Sequence, residues 1–297
     1  IPPPRTPLFC TQAIPAERAM INLDRNAVLV TGAGGIIGSY IQFGLRLGHR
    51  DLDITDGAAV QTAISASRPS TVIHLAAATD MERCEREPQY CWQVNVEGTA
   101  NVARACREIG ATLVYVSTAV VFSGSQESFT ETNAPNPASV YGRSKLAGEF
   151  ACRDIAPRSL VLRTSWVFGG GPKRDHKFVG KIARSLSAGN NIRAATDHVG
   201  SPTYAKDFVH RMTELISEGR TGIFHVTNSG APSRYDMAKE IAAVLQPDAR
   251  IETASYRDFG ISADRASREV LVTSLPQLRS WQEALREYLE TEWMAST

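Results

Sequence analysis

Tyr141 and Lys145 stand four residues apart in YGRSK, and on a helix that spacing puts both side chains on one face. A phenol ordinarily holds its proton to about pH 10, and a neighbouring ammonium makes the phenolate accessible, so the pair suits proton exchange with a substrate oxygen. Upstream, Ser117 and Thr118 close the apolar run ATLVYVST (111–118), at the strand end where open α/β sheets bind ligands. A hydroxyl there can hold a substrate carbonyl. Further upstream, TGAGGIIG sets Gly32, Gly35 and Gly38 between a strand-like and a helix-like run. Glycines so placed turn tightly, admit a pyrophosphate to backbone N–H groups and let a helix pack against its strand, while the helix N-terminus favours negative charge. Taken singly, each motif has an ordinary counterpart: a ligand-free glycine turn, a solvated Tyr/Lys pair, a Ser/Thr turn bonding its own backbone. Together they occur in the order and spacing that a dinucleotide-dependent acid–base site needs.

The elements that must position these residues alternate. AVLVTG (27–32), STVIHLAA (70–77), ATLVYVST and SLVLRTSWVF (159–168) are short and nearly continuous in apolar residues, as strands buried on both faces are. Between them GIIGSYIQFGLRL, DGAAVQTAISAS, the 88–110 segment and ASVYGRSKLAGEFACRDI have helical spacing. The expected fold class is α/β, a Rossmann-like doubly wound parallel sheet over residues 20–168, with 169–297 a smaller, mainly substrate-binding region that returns some segments to the sheet. In that region a helix is expected near 176–188, strands at IRAATD and GIFHVTNSG (222–230), a helix SRYDMAKEIAAVL capped by Ser233 and Asp236, and a last helix SWQEALREYLE. One element is out of place. GHRDLDITD runs from Gly48 directly into the next motif, so the second strand is expected to be severely shortened or missing.

Composition excludes several classes. The 297 residues are 43% hydrophobic, enough for a substantial core. With 32 Lys plus Arg against 31 Asp plus Glu, no broad field is offered to nucleic acid or an anionic membrane, and neither partner is expected. Cys10, Cys84, Cys91, Cys106 and Cys152 include no Cys-x-x-Cys pair, which indicates neither a disulfide framework nor a zinc ribbon and fits a reducing cytoplasm. His74, His198, His210 and His225 lack ligand spacing, so no metal site is expected. Lys173 and Arg174 read as an exposed loop pair. Residues 1–19 lack a signal-peptide pattern and read as a disordered extension.

From about residue 26 to 291 the sequence resembles the extended short-chain dehydrogenase/reductase superfamily, and within it the dTDP-4-dehydrorhamnose reductase branch. The landmarks are TGAGGIIG, LDITD (52–56), HLAAATD (74–80), VNVEGT (94–99), YVSTAVVF (115–122), YGRSKLAGE (141–149), LRTSWVF (162–168), GSPTYAKDF (200–208), GIFHV (222–226) and WQEALREYL (281–289). The resemblance implies a catalytic trio in which Thr118 orients the sugar ketone, Tyr141 donates the proton, and Lys145 tunes Tyr141 and grips the nicotinamide ribose. It implies an NADPH or NADH site at Gly32, Gly35, Ile36, Ile37 and Gly38, with Asp53 and Ile54 at the adenine and Ala76, Ala77 and Ala78 beside the cofactor backbone. Asn95 and Ser117 complete that site. Trp166 is implied as an aromatic surface for the sugar nucleotide. The implied activity is reduction of a 4-keto-6-deoxy sugar nucleotide in deoxysugar biosynthesis, with homodimerisation left open. The branch usually reads STDYVF where this chain has STAVVF, so Ala119 and Val120 stand in for an Asp and a Tyr near the sugar. Two other readings accompany this one: a sugar-nucleotide epimerase that retains NAD, and a non-catalytic binding subunit resembling the regulatory subunit of methionine adenosyltransferase.

Overall fold

A computed structural model describes residues 23–260 and 266–296; the N-terminal extension read from the sequence lies outside them. Six strands form one parallel sheet: β1 Val28–Thr31, β2 Leu45–Leu47, β3 Thr71–His74, β4 Thr112–Thr118, β5 Ser159–Thr164 and β6 Gly222–His225. Their order is β6-β5-β4-β3-β1-β2. Because side chains alternate along a strand, each strand feeds two cores. Leu29, Val72, Leu113 and Val161 face one side, packing against helices α1 (Gly57–Ser67), α2 (Thr99–Ile109) and α3 (Val140–Ile155). Val28, Val30, Ile73, Val114, Leu160 and Leu162 face the other side. Such two-sided burial is why these strands read as unbroken apolar runs.

The first crossover corrects the sequence reading. The second strand is severely shortened, as expected, to Leu45–Leu47, but it falls within the stretch expected to be helical, and the helix expected over GIIGSYIQFGLRL is reduced to a single 3-10 turn at Ile37–Tyr40. Residues 32–44 make the whole connection between two parallel strands, and a parallel crossover needs about a dozen residues even at its shortest. Length therefore leaves room for one turn. Gly44, at φ +75°, then swings the chain into β2, where a Cβ would lie 2.5 Å from the Val28 carbonyl oxygen. Tyr40 fixes the turn from the side: its hydroxyl donates to Glu292 Oε2 (2.6 Å) and accepts from the Gly170 N–H (2.6 Å).

The face so uncovered is closed from far along the chain. Helix α5 (Ala205–Ser217; α4 is Phe178–Ser187) lays Phe208, Val209, Met212 and Leu215 over it, together with Ile41. The sequence reading assigned no helix there. A third core joins α4, α6 (Arg234–Leu245) and α7 (Trp281–Tyr288) around Phe168, Tyr204 and Trp281. The expected Ser233–Asp236 capping box is present.

Candidate active site

Strand order reverses around β1, since β2 lies on one side and β3 on the other, and the crevice beyond such a reversal is where open α/β sheets take their ligands. The glycine turn lies at this point. Gly32 adopts φ +67°, and a Cβ on it would come 2.5 Å from the Ala76 backbone nitrogen, so the β1 and β3 ends meet with no room for a side chain. Gly38 presses against Ala33 in the same way, at 2.6 Å from its carbonyl oxygen, while nothing lies within 4 Å of the Cβ position at Gly34. The result is a bare backbone cradle, with Gly34 and Gly35 exposed and Ile36, Ile37, Ala76 and Ala77 half-buried around it. This cradle suits a dinucleotide pyrophosphate. The single turn after it carries little of a helix dipole, so backbone N–H groups must supply most of the attraction.

Beneath the cradle runs a buried relay. Thr31 Oγ1 is 2.7 Å from His74 Nδ1, and His74 Nε2 is 3.2 Å from Thr99 Oγ1, which itself donates to the Asn95 carbonyl at 2.7 Å. Thr99 having given its proton away, His74 must donate from Nε2 and accept at Nδ1, the neutral tautomer. Burial, aided by the charge of Lys145, drives the His74 pKa from 6.5 down to about 3. The folded state thus refuses a proton that the unfolded chain takes up below pH 6.5, and stability is lost as pH falls from there toward 3. Between about pH 6.5 and 4 this group should cost about 3 kcal/mol. Urea titrations at the two pH values should show it as a slope that His74→Gln flattens; equal slopes in both proteins would refute the assignment.

Thr118 and Tyr141 converge on one end of the sheet. Thr118 ends β4 and Tyr141 opens α3, whose N-cap Ser139 accepts from the Gly142 N–H (3.0 Å). The Thr118 hydroxyl lies beside the Tyr141 phenol, close enough to act on its proton, and accepts from the Val120 N–H at 3.2 Å. Burial raises the Tyr141 pKa well above its usual value, against an opposing pull from the neighbouring Thr118 hydroxyl. The phenol is therefore held as a proton donor. Lys145 lies one turn on, buried, its ammonium 4.0 Å from the Tyr115 ring centroid. Burial pushes it down to about 7, and Glu149 pulls it back up.

Several expected contacts fall elsewhere. Ser117 turns away from the cleft, donating to Glu149 Oε1 at 2.5 Å in the interior. Asn95, in a π turn (Gln93–Gly98), clamps Ala78 by accepting from its N–H (2.8 Å) and donating to its carbonyl (3.1 Å). It also donates to Ser144 Oγ (2.9 Å), which donates to the Tyr141 carbonyl (2.8 Å), so Asn95 ties the Ala76–Ala78 wall to the Tyr141 helix. Asp53 is exposed and spends its carboxylate on the Thr55 N–H and hydroxyl; Ile54 is core, packed under Gly98. Trp166, at φ +43°, has little ring face to offer. Arg234 lies 3.4 Å over its ring, a Cβ at Gly200 would lie 2.4 Å from its Cε2, and its indole N–H donates to Glu269 (2.8 Å). Glu269 was not singled out from sequence, yet this buried carboxylate acts on the Tyr141 proton from across the cleft. The buried hydroxyls of Thr164 and Ser165 at the end of β5 have no hydrogen-bond partner among the described residues. Unsatisfied groups of this kind are found where a ligand completes a site. Among the described residues no cluster of three metal-ligating side chains occurs, and no helix is long and apolar enough to cross a membrane.

Comparisons with known proteins point to one family. A dTDP-4-dehydrorhamnose reductase of Streptomyces griseus is 35% identical over 282 residues, which span 87% of this chain and 91% of that protein. The crystal structure of dTDP-4-dehydrorhamnose reductase from Bacillus anthracis in complex with NADP superposes with a TM-score of 0.85 at 31% identity, covering 89% of this chain and 98% of that one. Thermus thermophilus UDP-glucose 4-epimerase, in complex with NAD, shares the fold at TM-score 0.77 and 23% identity, covering 89% of this chain and 97% of that one. The family profile described as RmlD substrate binding domain matches residues 26–294. With its glycine cradle, Thr118–Tyr141 pair and this match over nearly all its described length, the chain belongs to the RmlD substrate-binding-domain family of extended short-chain dehydrogenase/reductases.

Proposed function

We propose that the protein is an NAD(P)H-dependent reductase of a 4-keto-6-deoxy sugar nucleotide, dTDP-4-dehydrorhamnose being the first substrate to test. The observation that carries this reading is the convergence of Thr118, at the end of β4, and Tyr141, at the start of α3, beside the glycine cradle. The residues fit a nicotinamide dinucleotide: bare backbone at Gly34 and Gly35 for its diphosphate and a buried lysine below. When bound, the reduced nicotinamide supplies the hydride. Thr118 holds the substrate carbonyl oxygen, and Tyr141, kept protonated by its burial, gives its proton to that oxygen as negative charge develops there. Lys145 binds the nicotinamide ribose, and Glu269 and the Trp166–Arg234 stack border the sugar nucleotide. Fixing donor and ketone in one cleft removes the entropy of encounter.

Ala119 and Val120 are buried in the 3-10 turn after β4, so this chain brings apolar groups where the branch usually brings an Asp and a Tyr. The sugar accepted is therefore to be found by trial. The test is to follow reduced-nicotinamide absorbance while offering a panel of keto-sugar nucleotides. Ketone-dependent oxidation of added, exchangeable NADPH supports the reductase. A cofactor that co-purifies and resists dialysis supports an epimerase, and cofactor binding with no oxidation of NADPH supports the binding-subunit reading. A cytoplasmic setting accompanies the proposal, in keeping with four buried, free cysteines among the described residues.

Cofactor preference is proposed to favour NADPH. The turn after β2, where Rossmann-type sites hold the adenosine ribose, exposes His49 and Arg50, whereas the Asp51 carboxylate is taken up by the Gly48 N–H at 2.7 Å. Two basic groups suit a 2′-phosphate. Arg50→Ala is expected to weaken NADPH binding about tenfold with little change for NADH, the size of one charge-assisted hydrogen bond; equal losses for both, by fluorescence titration, would remove Arg50 from this role.

A further inference from the structure

Lys145 must remain an ammonium to grip a ribose, yet it is buried under α3, where a charge is costly. The groups acting on it come from every element packed around it. From β4 it meets the face of Tyr115. From β3 it meets His74, which its own charge helps to keep neutral. The short helix Pro88–Trp92 brings Cys91, and α3 itself brings Cys152 and Glu149. Among these described groups Glu149 is the carboxylate.

Glu149 is four residues beyond Lys145 and as deeply buried. It is held on three sides. Arg163 donates to Oε1 from Nε (2.8 Å) and to Oε2 from a terminal nitrogen (2.6 Å), and Ser117 donates to Oε1 at 2.5 Å. So many charge-assisted bonds hold the carboxylate at one place. Arg163 in turn packs over Phe122, its ring 5.1 Å from the guanidinium carbon. The Tyr141–Lys145–Glu149 stripe thus ends in an anchored anion that bonds neither the cleft nor any exposed group.

We propose that Glu149 is a positioning residue for the reduction: its anchored carboxylate keeps the Lys145 ammonium charged and in place to receive the nicotinamide ribose. This rests on the cofactor assignment to the cleft but not on the identity of the sugar. Loss of the carboxylate should let Lys145 shed its proton at lower pH, so cofactor affinity should decline earlier as pH rises.

The experiment is NADPH binding, read by fluorescence from pH 6 to about pH 10, in wild type and two variants. Glu149→Gln is the direct change. The double variant Glu149→Met with Arg163→Met removes both charges together, a replacement that buried pairs often tolerate without loss of stability, and it serves if the single variant does not fold. The expected result is an alkaline decline displaced to lower pH by about one unit, with affinity at the acid end within about threefold of wild type. An unmoved decline, or an affinity lowered by one factor at every pH, would overturn the proposal and leave Glu149 a packing residue. If wild type binds NADPH as described but oxidises it with no keto-sugar nucleotide, the substrate reading falls and this inference stands.

Discussion

Tyr141→Phe is expected to lower kcat with the cognate keto-sugar nucleotide by at least about 10²-fold, the range that a positioned proton donor contributes, while NADPH affinity stays within about threefold of wild type. The change deletes one oxygen and keeps the ring, so packing between α3 and the Cys84–Cys91 cluster is retained. What disappears is the proton and the phenol oxygen beside the Thr118 hydroxyl. Thr118 still accepts from the Val120 N–H and can turn its proton to the substrate carbonyl, so ketone binding should survive and the loss should fall on kcat rather than KM. Stability should change by no more than about 1.5 kcal/mol, the net worth of an ordinary hydrogen bond. Stopped-flow measurement of reduced-nicotinamide absorbance separates the cases. Wild-type single-turnover rates in the variant would take the proton-donor role from Tyr141, whereas a collapse of NADPH binding would mean that the phenol holds the cofactor.

How far the sequence could be read follows from which forces act locally. The glycine turn, five strands of the sheet and the Tyr141 helix were legible because each is written in a contiguous stretch: left-handed glycine, short β-rich apolar runs, side chains one turn apart. The shortened crossover misled because GIIGSYIQFGLRL has helical spacing, and only the count of residues between Thr31 and Leu45, set against the span a parallel connection must cross, reveals that one turn is all that fits. Helix α5 compensates on that face, and its apolar stripe of Phe208, Met212 and Leu215 was available to periodicity but went unassigned.

The site divides in the same way. Thr118 and Tyr141 meet because adjoining elements deliver both to one sheet end. Ser117 adjoins Thr118 in sequence, but alternation sends it to the opposite face and so to Glu149. The surroundings of Lys145 and the covering of Trp166 depend on Arg163, Glu269 and Arg234, which reach them from other parts of the chain. No local spacing encodes such contacts.

Gly32→Ala is the substitution expected to damage both fold and cofactor site. Two independent costs meet at this residue. At φ +67° a side chain occupies the left-handed region, a penalty of roughly 1–2 kcal/mol. Its Cβ would also stand 2.5 Å from the Ala76 nitrogen and 2.7 Å from the Ala76 Cα, backbone atoms that cannot swing aside, and overpacking of this kind costs roughly 1–3 kcal/mol. Relief requires β1 and the Leu75–Ala78 segment to part. That segment is pinned from behind, since Asn95 clamps Ala78 and the Leu75 N–H donates to the Thr31 carbonyl at 3.2 Å. The strain should therefore spread into the β1–β3 pairing. A loss of roughly 2–5 kcal/mol in urea unfolding is expected, together with NADPH binding too weak to titrate. Gly34→Ala is the internal control: it has open space at its Cβ position and an ordinary φ, so its stability should stay within about 0.5 kcal/mol of wild type. A Gly32 variant as stable as the Gly34 variant would mean that the β1 and β3 ends do not meet as closely as the cradle requires, and the dinucleotide would have to be sought elsewhere on the sheet.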